Sequence, residues 1–144
     1  MYNAPSFHYY SQINLSHDNR YLMSISNTNE WIMDVDLDTF EAQVLSVSED
    51  VPVLIDLWAE WCAPCLVIAP VLKQVVEEYD GRIRLAKIEV DVGENMKLAG
   101  RYQVRGFPTV ILIINGEEMA RFSGAKPQTF IRDFIDKSIV SGTR

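Results

Sequence analysis

The stretch VPVLIDLWAEWCAPCLVIAPVL, Val51 to Leu72, runs from an apolar segment through two cysteines into a second apolar segment of different period. Val53, Ile55 and Leu57 alternate with Leu54, Asp56 and Trp58, so both faces of an extended segment would be largely apolar. That pattern predicts a central strand of a sheet covered on both sides. Beyond the cysteines, Ile68, Val71, Leu72, Val75, Val76 and Tyr79 fall on one face of a helix that ends at Asp80-Gly81. Cys62 and Cys65 therefore sit where a buried strand gives way to a helix.

Outward from this segment the elements alternate. A helix starting at Asp36 or Asp38 carries Leu37, Phe40, Val44 and Val47 at helical spacing. Residues 82 to 91 read as a second strand, residues 94 to 102 as a short helix and residues 108 to 114 as a third strand. Asn115-Gly116 is a hairpin signal leading to a fourth strand over residues 118 to 122. Phe130, Ile131, Phe134, Ile135 and Ile139 define a last amphipathic helix, with Pro127 suited to its first turn. The order predicts an α/β domain with a mixed sheet between helical layers, and no internal repeat is visible.

The chain has 144 residues, 48% of them hydrophobic, and a formal net charge of −7. This suits one domain with one core. It argues against a nucleic-acid partner, which calls for clustered Lys and Arg. No apolar run reaches the roughly 20 residues of a membrane span, and no basic-then-apolar leader is seen, so a cytoplasmic location is expected. Residues 1 to 31 carry only three formal charges, Asp18, Arg20 and Glu30, among many Ser, Asn and aromatic residues. We divide the chain there: residues 1 to 31 as a poorly ordered extension and 32 to 144 as the domain. Two other readings of the extension are that its aromatics dock on a surface, or that translation starts at Met23 or Met33. Asn14-Leu15-Ser16 matches a glycosylation acceptor, but without a secretory signal the match is read as chance.

Three chemistries compete for the cysteines. A structural zinc site wants four N or S ligands, and the remaining candidates, His8 and His17, lie in the extension. A structural disulfide would close a very small loop and add little chain-entropy stabilisation. A redox-active dithiol gains support from position. A helix N-terminus presents unpaired N–H groups and about half a positive charge, which favours the thiolate that attacks disulfides. Cys65, one turn later, would be the less exposed partner. Asp56, which shares its strand face with Leu54 and Trp58, reads as a buried carboxyl able to accept a proton from Cys65.

DLWAEWCAPCLVIAPVL (Asp56 to Leu72) resembles the active-site segment of the thioredoxin family, whose usual pentapeptide is WCGPC. AKIEVD, RGFPT (Arg105 to Thr109), INGEE and the turn Ser123 to Ala125 follow in the order and spacing of that family. The resemblance spans residues 32 to 144. It implies a mixed central sheet of about five strands flanked by about four helices, and it assigns roles. Cys62 would be the exposed nucleophile, Cys65 the buried resolving thiol and Asp56 the acid behind it, with Lys87 nearby. Pro108 would be a cis-proline facing the disulfide after Phe107, leaving the backbone of Phe107 free to pair with an extended substrate. Trp58 and Trp61 would flank the site, with Trp61, Ala63, Pro64 and Gly124 on the docking surface and Pro70 as a bend in the helix. The implied activity is reduction of protein disulfides, with a thioredoxin reductase as electron donor, no bound cofactor or metal, and a monomeric protein. A thioredoxin-fold chaperone or binding module, its dithiol secondary, is the alternative.

Two departures from the pattern stand out. Ala63 replaces the usual glycine, and Ala is preferred over Gly in a helix by about 1 kcal/mol. Acting wholly on one redox state, that would move the potential by only about 20 mV. Leu66 stands where the family usually has Lys or Arg, removing a positive charge beside the site. A slightly less acidic Cys62 and a different partner choice are the expected consequences.

Overall fold

The computed structural model describes residues 30 to 142. Its centre is a five-stranded sheet in the order β1-β3-β2-β4-β5. The strands are β1 (Ile32–Asp34), β2 (Val53–Trp58), β3 (Arg84–Glu89), β4 (Thr109–Ile114) and β5 (Glu117–Ser123). β1, β3 and β2 run parallel, whereas β4 pairs antiparallel with β2 and β5 antiparallel with β4. The helices are α1, beginning at Leu37–Phe40 and continuing through a π turn (Glu41–Leu45) and a 3-10 turn (Val47–Glu49), then α2 (Ala63–Glu78), α3 (Met96–Arg101) and α4 (Gln128–Gly142).

The period-two pattern of β2 is realised as a core on each side. Val53, Ile55 and Leu57 join Phe40 and Val44 of α1, Leu98 and Ala99 of α3, and Ile111 and Ile113 of β4. Leu54 joins Ile68, Leu72, Val75 and Val76 of α2, Val110 and Leu112 of β4, and Ile131 and Ile135 of α4. Every residue of β2 up to Leu57 is buried, which is the burial expected of a central strand in a covered sheet. Asn115 and Gly116, both at positive φ, close the hairpin between β4 and β5 as the Asn-Gly pair predicts.

β1 is an addition to the four strands readable from the residues. Its three residues are too few to set up a period, and its place beside β3 comes from pairing rather than from local sequence. It makes β3, the strand of Lys87, an interior strand of the sheet. β2 to β5 and α3 fall within two residues of their predicted ends, while α4 begins one residue after Pro127, the residue expected in its first turn, and runs to Gly142. The extension, including His8, His17 and Asn14, lies outside the described residues apart from its last positions.

Asp36 stands at the N-cap of α1, but its carboxylate does not cap that helix alone. The buried Asn95 side chain bridges the two ends of this corner: its Oδ1 accepts from the Leu37 N–H at 2.8 Å, and its Nδ2 donates to Asp36 Oδ1 at 2.9 Å and to the Glu89 carbonyl at 3.0 Å. One amide thus satisfies the start of α1 and the end of β3. Removing it leaves polar groups unpaired in a buried place, a loss typically of about 1–3 kcal/mol. Asn95→Ala is therefore expected to lower the stability of the oxidised protein by about 2 kcal/mol in urea unfolding, with an unchanged m-value.

Candidate active site

β2 ends at Trp58, and three loop residues later Cys62 occupies the N-cap of α2 with an extended backbone. Its N–H donates to the Ala59 carbonyl at 3.1 Å, fixing the entry to the helix. Cys62 and Cys65 form a disulfide with Cα atoms 5.3 Å apart. Cys62 Sγ also accepts the Cys65 N–H at 3.3 Å, so a helix N-terminal donor already points at this sulfur. On reduction that donor, together with the positive end of α2, would favour a thiolate at Cys62. Cys62 keeps 5% of its surface and Cys65 only 1%. Both cysteines are therefore buried in the disulfide form, which corrects the expectation of an exposed Cys62, although Cys62 is the more accessible of the two.

The surroundings bring most of the sequence-predicted residues together. Trp61 is exposed, its indole N–H donating to Asp91 Oδ2 at 2.6 Å and its ring meeting Phe107 edge to face at 6.0 Å. Pro108 is buried at the entry to β4, and its peptide bond to Phe107 is cis. The Pro108 carbonyl accepts the N–H of Gly124 at 2.9 Å, tying that turn to the site. Gly124 has φ of 87°, a conformation strained for any other residue. Ala63 and Pro64 are exposed in the first turn of α2. The helix is continuous through the exposed Pro70, whose missing N–H deprives the Leu66 carbonyl of its in-helix donor.

Asp56, on β2, is 1% exposed, and its Oδ1 has no hydrogen-bond partner among the described residues. Burial pushes its carboxyl from 3.8 up to about 7, and the positive charge of Lys87 opposes part of that rise. Lys87 is the register neighbour of Asp56 across the β2–β3 pair. Its half-buried side chain places Nζ 5.5 Å from the centre of the Trp58 ring. Lys87 thus lies between an aromatic face and the strand position of the buried carboxyl.

Sequence reasoning missed Asp91, which anchors Trp61, and Glu60 and Glu89 beside it. A signal existed. Strands β2 and β3 are parallel, so the residues following each at its C-terminal end meet at one end of the sheet, where α/β proteins build their sites.

A Cys-X-X-Cys disulfide at a strand-to-helix junction, following a strand that holds a buried carboxyl, is suited to thiol-disulfide exchange. A family model described as thioredoxin matches residues 32–137. The chain is 41% identical to a thioredoxin of Haemophilus influenzae over 100 residues, covering 69% of this chain and 90% of that one. It is 40% identical to a thioredoxin of Pseudomonas aeruginosa over 111 residues, covering 77% and 99%. Similarity extends to the chloroplastic thioredoxin M5 of Oryza sativa, at 35% over 122 residues, 85% of this chain and 69% of that one. The chain belongs to the thioredoxin family and is a thiol-disulfide oxidoreductase. These relatives do not favour the binding-module alternative.

The Asp56 pKa has a consequence for stability. Between pH 3.8 and about 7 the folded protein holds a proton that the unfolded chain releases. Stability from this group is thus greatest at low pH and falls as pH rises through that window, by up to about 4 kcal/mol for the whole rise. The stability of Asp56→Asn relative to the parent should accordingly increase by up to that amount between about pH 4 and pH 8. Guanidinium unfolding of both oxidised proteins across this range checks it, and parallel pH profiles would contradict it.

Proposed function

We propose that this protein reduces disulfides in other proteins with the Cys62 thiolate as attacking group. The carrying observation is the Cys62–Cys65 disulfide at the N-terminus of α2, a few residues beyond the strand that holds the buried Asp56. In the first step Cys62 Sγ attacks one sulfur of the target disulfide, forming a mixed disulfide and expelling the other target sulfur as a thiolate. In the second step Cys65, its proton taken by Asp56, attacks Cys62 Sγ. The second target thiolate leaves and the Cys62–Cys65 bond forms. Two electrons pass from the protein to the target.

Lys87 acts through Asp56, holding its pKa within reach of the working pH. Trp61, Phe107, Pro108, Gly124, Ala63 and Pro64 form the surface against which the target strand rests, and Trp58 and Pro70 support it. The reductase unit is the domain from residue 32 onward. A thioredoxin reductase supplies the electrons that return the disulfide to the dithiol, in a reducing compartment, the cytoplasm. Among the described residues no helix is long and apolar enough to cross a membrane.

NADPH oxidation coupled to insulin reduction, with thioredoxin reductase present, should proceed rapidly with the natural protein and cease with Cys62→Ser. Cys65→Ser should instead accumulate a mixed disulfide with insulin, visible by mass spectrometry. Asp56→Asn should slow release of the target by on the order of a hundredfold near pH 7 while leaving the initial attack rate intact. Persistence of turnover in Cys62→Ser would refute the assignment.

A further inference from the structure

The first two turns of α2 present no charge to solvent. Ala63, Pro64, Leu66, Val67 and Pro70 are all exposed, and the first charged residue of the helix is Lys73. With Trp61 67% exposed, Leu66 52% and Val67 62%, an apolar surface flanks the disulfide on its α2 side. Next to it lies a groove of about 570 Å³ lined by Glu60, Trp61, Leu66, Glu89 and Asp91. Its apolar part is the Trp61 ring and Leu66, and its polar part is three carboxylates. No lining residue is cationic. The nearest cation on the same strand as Glu89 is Lys87, whose ammonium is turned over the Trp58 ring. The Asp91 bond to the indole N–H holds Trp61 as one wall of the groove.

We propose that this groove selects disulfide targets in which a Lys or Arg lies beside an apolar residue close to the reacting cysteine. The proposal rests on the reductase reading above and names its substrate class. An apolar side chain would cover Leu66 and Trp61, while the cation would be attracted by Glu60, Glu89 and Asp91. Leu66 contributes twice, by supplying apolar contact and by leaving the carboxylates unopposed where a lysine would neutralise them. A second copy of this chain fits poorly, because its net charge of −7 would meet an acidic groove. Grooves of this charge raise the encounter rate of cationic partners, by tenfold or more at low salt.

The test uses three synthetic peptides, each with one cysteine held as a mixed disulfide with 2-nitro-5-thiobenzoate. They differ only in having Lys-Leu, Gln-Leu or Glu-Leu beside that cysteine. The dithiothreitol-reduced, desalted protein attacks the peptide sulfur and expels the coloured thiobenzoate thiolate. Cys65 then closes the protein disulfide and frees the peptide thiol, so one disulfide is consumed and one formed. The readout is the ratio of rate constants for the Lys and Glu peptides, each referred to the Gln peptide in the same variant.

The natural protein should give a ratio on the order of tenfold at low ionic strength, shrinking towards one at high salt. The ratio should collapse in Glu60→Gln/Glu89→Gln and in Leu66→Lys. It should persist in Glu49→Gln/Glu117→Gln, which removes the same charge from the opposite end of β2. A ratio near one in the natural protein, or a ratio lowered as much by the distant pair as by the groove variants, would overturn the proposal while leaving the reductase reading intact. Failure to reduce any of the three peptides would overturn both.

Discussion

The burial of β2 on both faces is the constraint from which the rest of the site follows. Helices α1 and α3 cover one side and α2 and α4 the other, so the strand cannot turn aside before Trp58. The chain then leaves the sheet and enters α2 within a few residues, which puts Cys62 at a helix N-terminus rather than along a strand or loop. That placement supplies an oriented N–H and a favourable dipole at one sulfur while the second is sealed by the helix itself. The same double burial accounts for Asp56. A carboxyl on a strand with no solvent face loses its hydration, and its proton affinity rises into the range where it can exchange protons with a thiol.

The electrostatics of the site are divided between two regions. In one, Asp56 and Lys87 lie in register across β2 and β3, where burial raises the pKa of the carboxyl and the lysine opposes part of that rise. In the other, Glu60, Glu89 and Asp91 line an open groove together with Trp61 and Leu66. Leu66 lies in the second region and leaves the first untouched. Leu66, where the family usually has a basic residue, leaves the groove lining without a cation, and Ala63 lies in the first turn of α2.

Much of this was legible in the sequence because it depends on local periods. The parity of Leu54, Asp56 and Trp58 was enough to place the carboxyl on a buried face, and the change of period after Cys62 was enough to place the cysteines at a junction. The motif order carried the fold. What local pattern does not carry is strand order. β1 is three residues long, and without it β3 looks like an edge, so the enclosed setting of Lys87 was invisible. Asp91 and Asn95 were missed for the same reason: their partners, Trp61 in one case and Asp36 and Leu37 in the other, are brought near only when β3 is laid beside β2 and β1.

The central claim is that the fold makes Cys62, and not Cys65, the reactive thiolate. Its most direct test is the pH dependence of alkylation in the fully reduced protein, with mass spectrometry locating the label. The account predicts that iodoacetamide modifies Cys62 first, with a midpoint below the pH of about 8.5 typical of an unperturbed cysteine, while Cys65 stays unmodified over the same period. Equal labelling of the two cysteines, or a Cys62 midpoint at or above that of a free thiol, would contradict it.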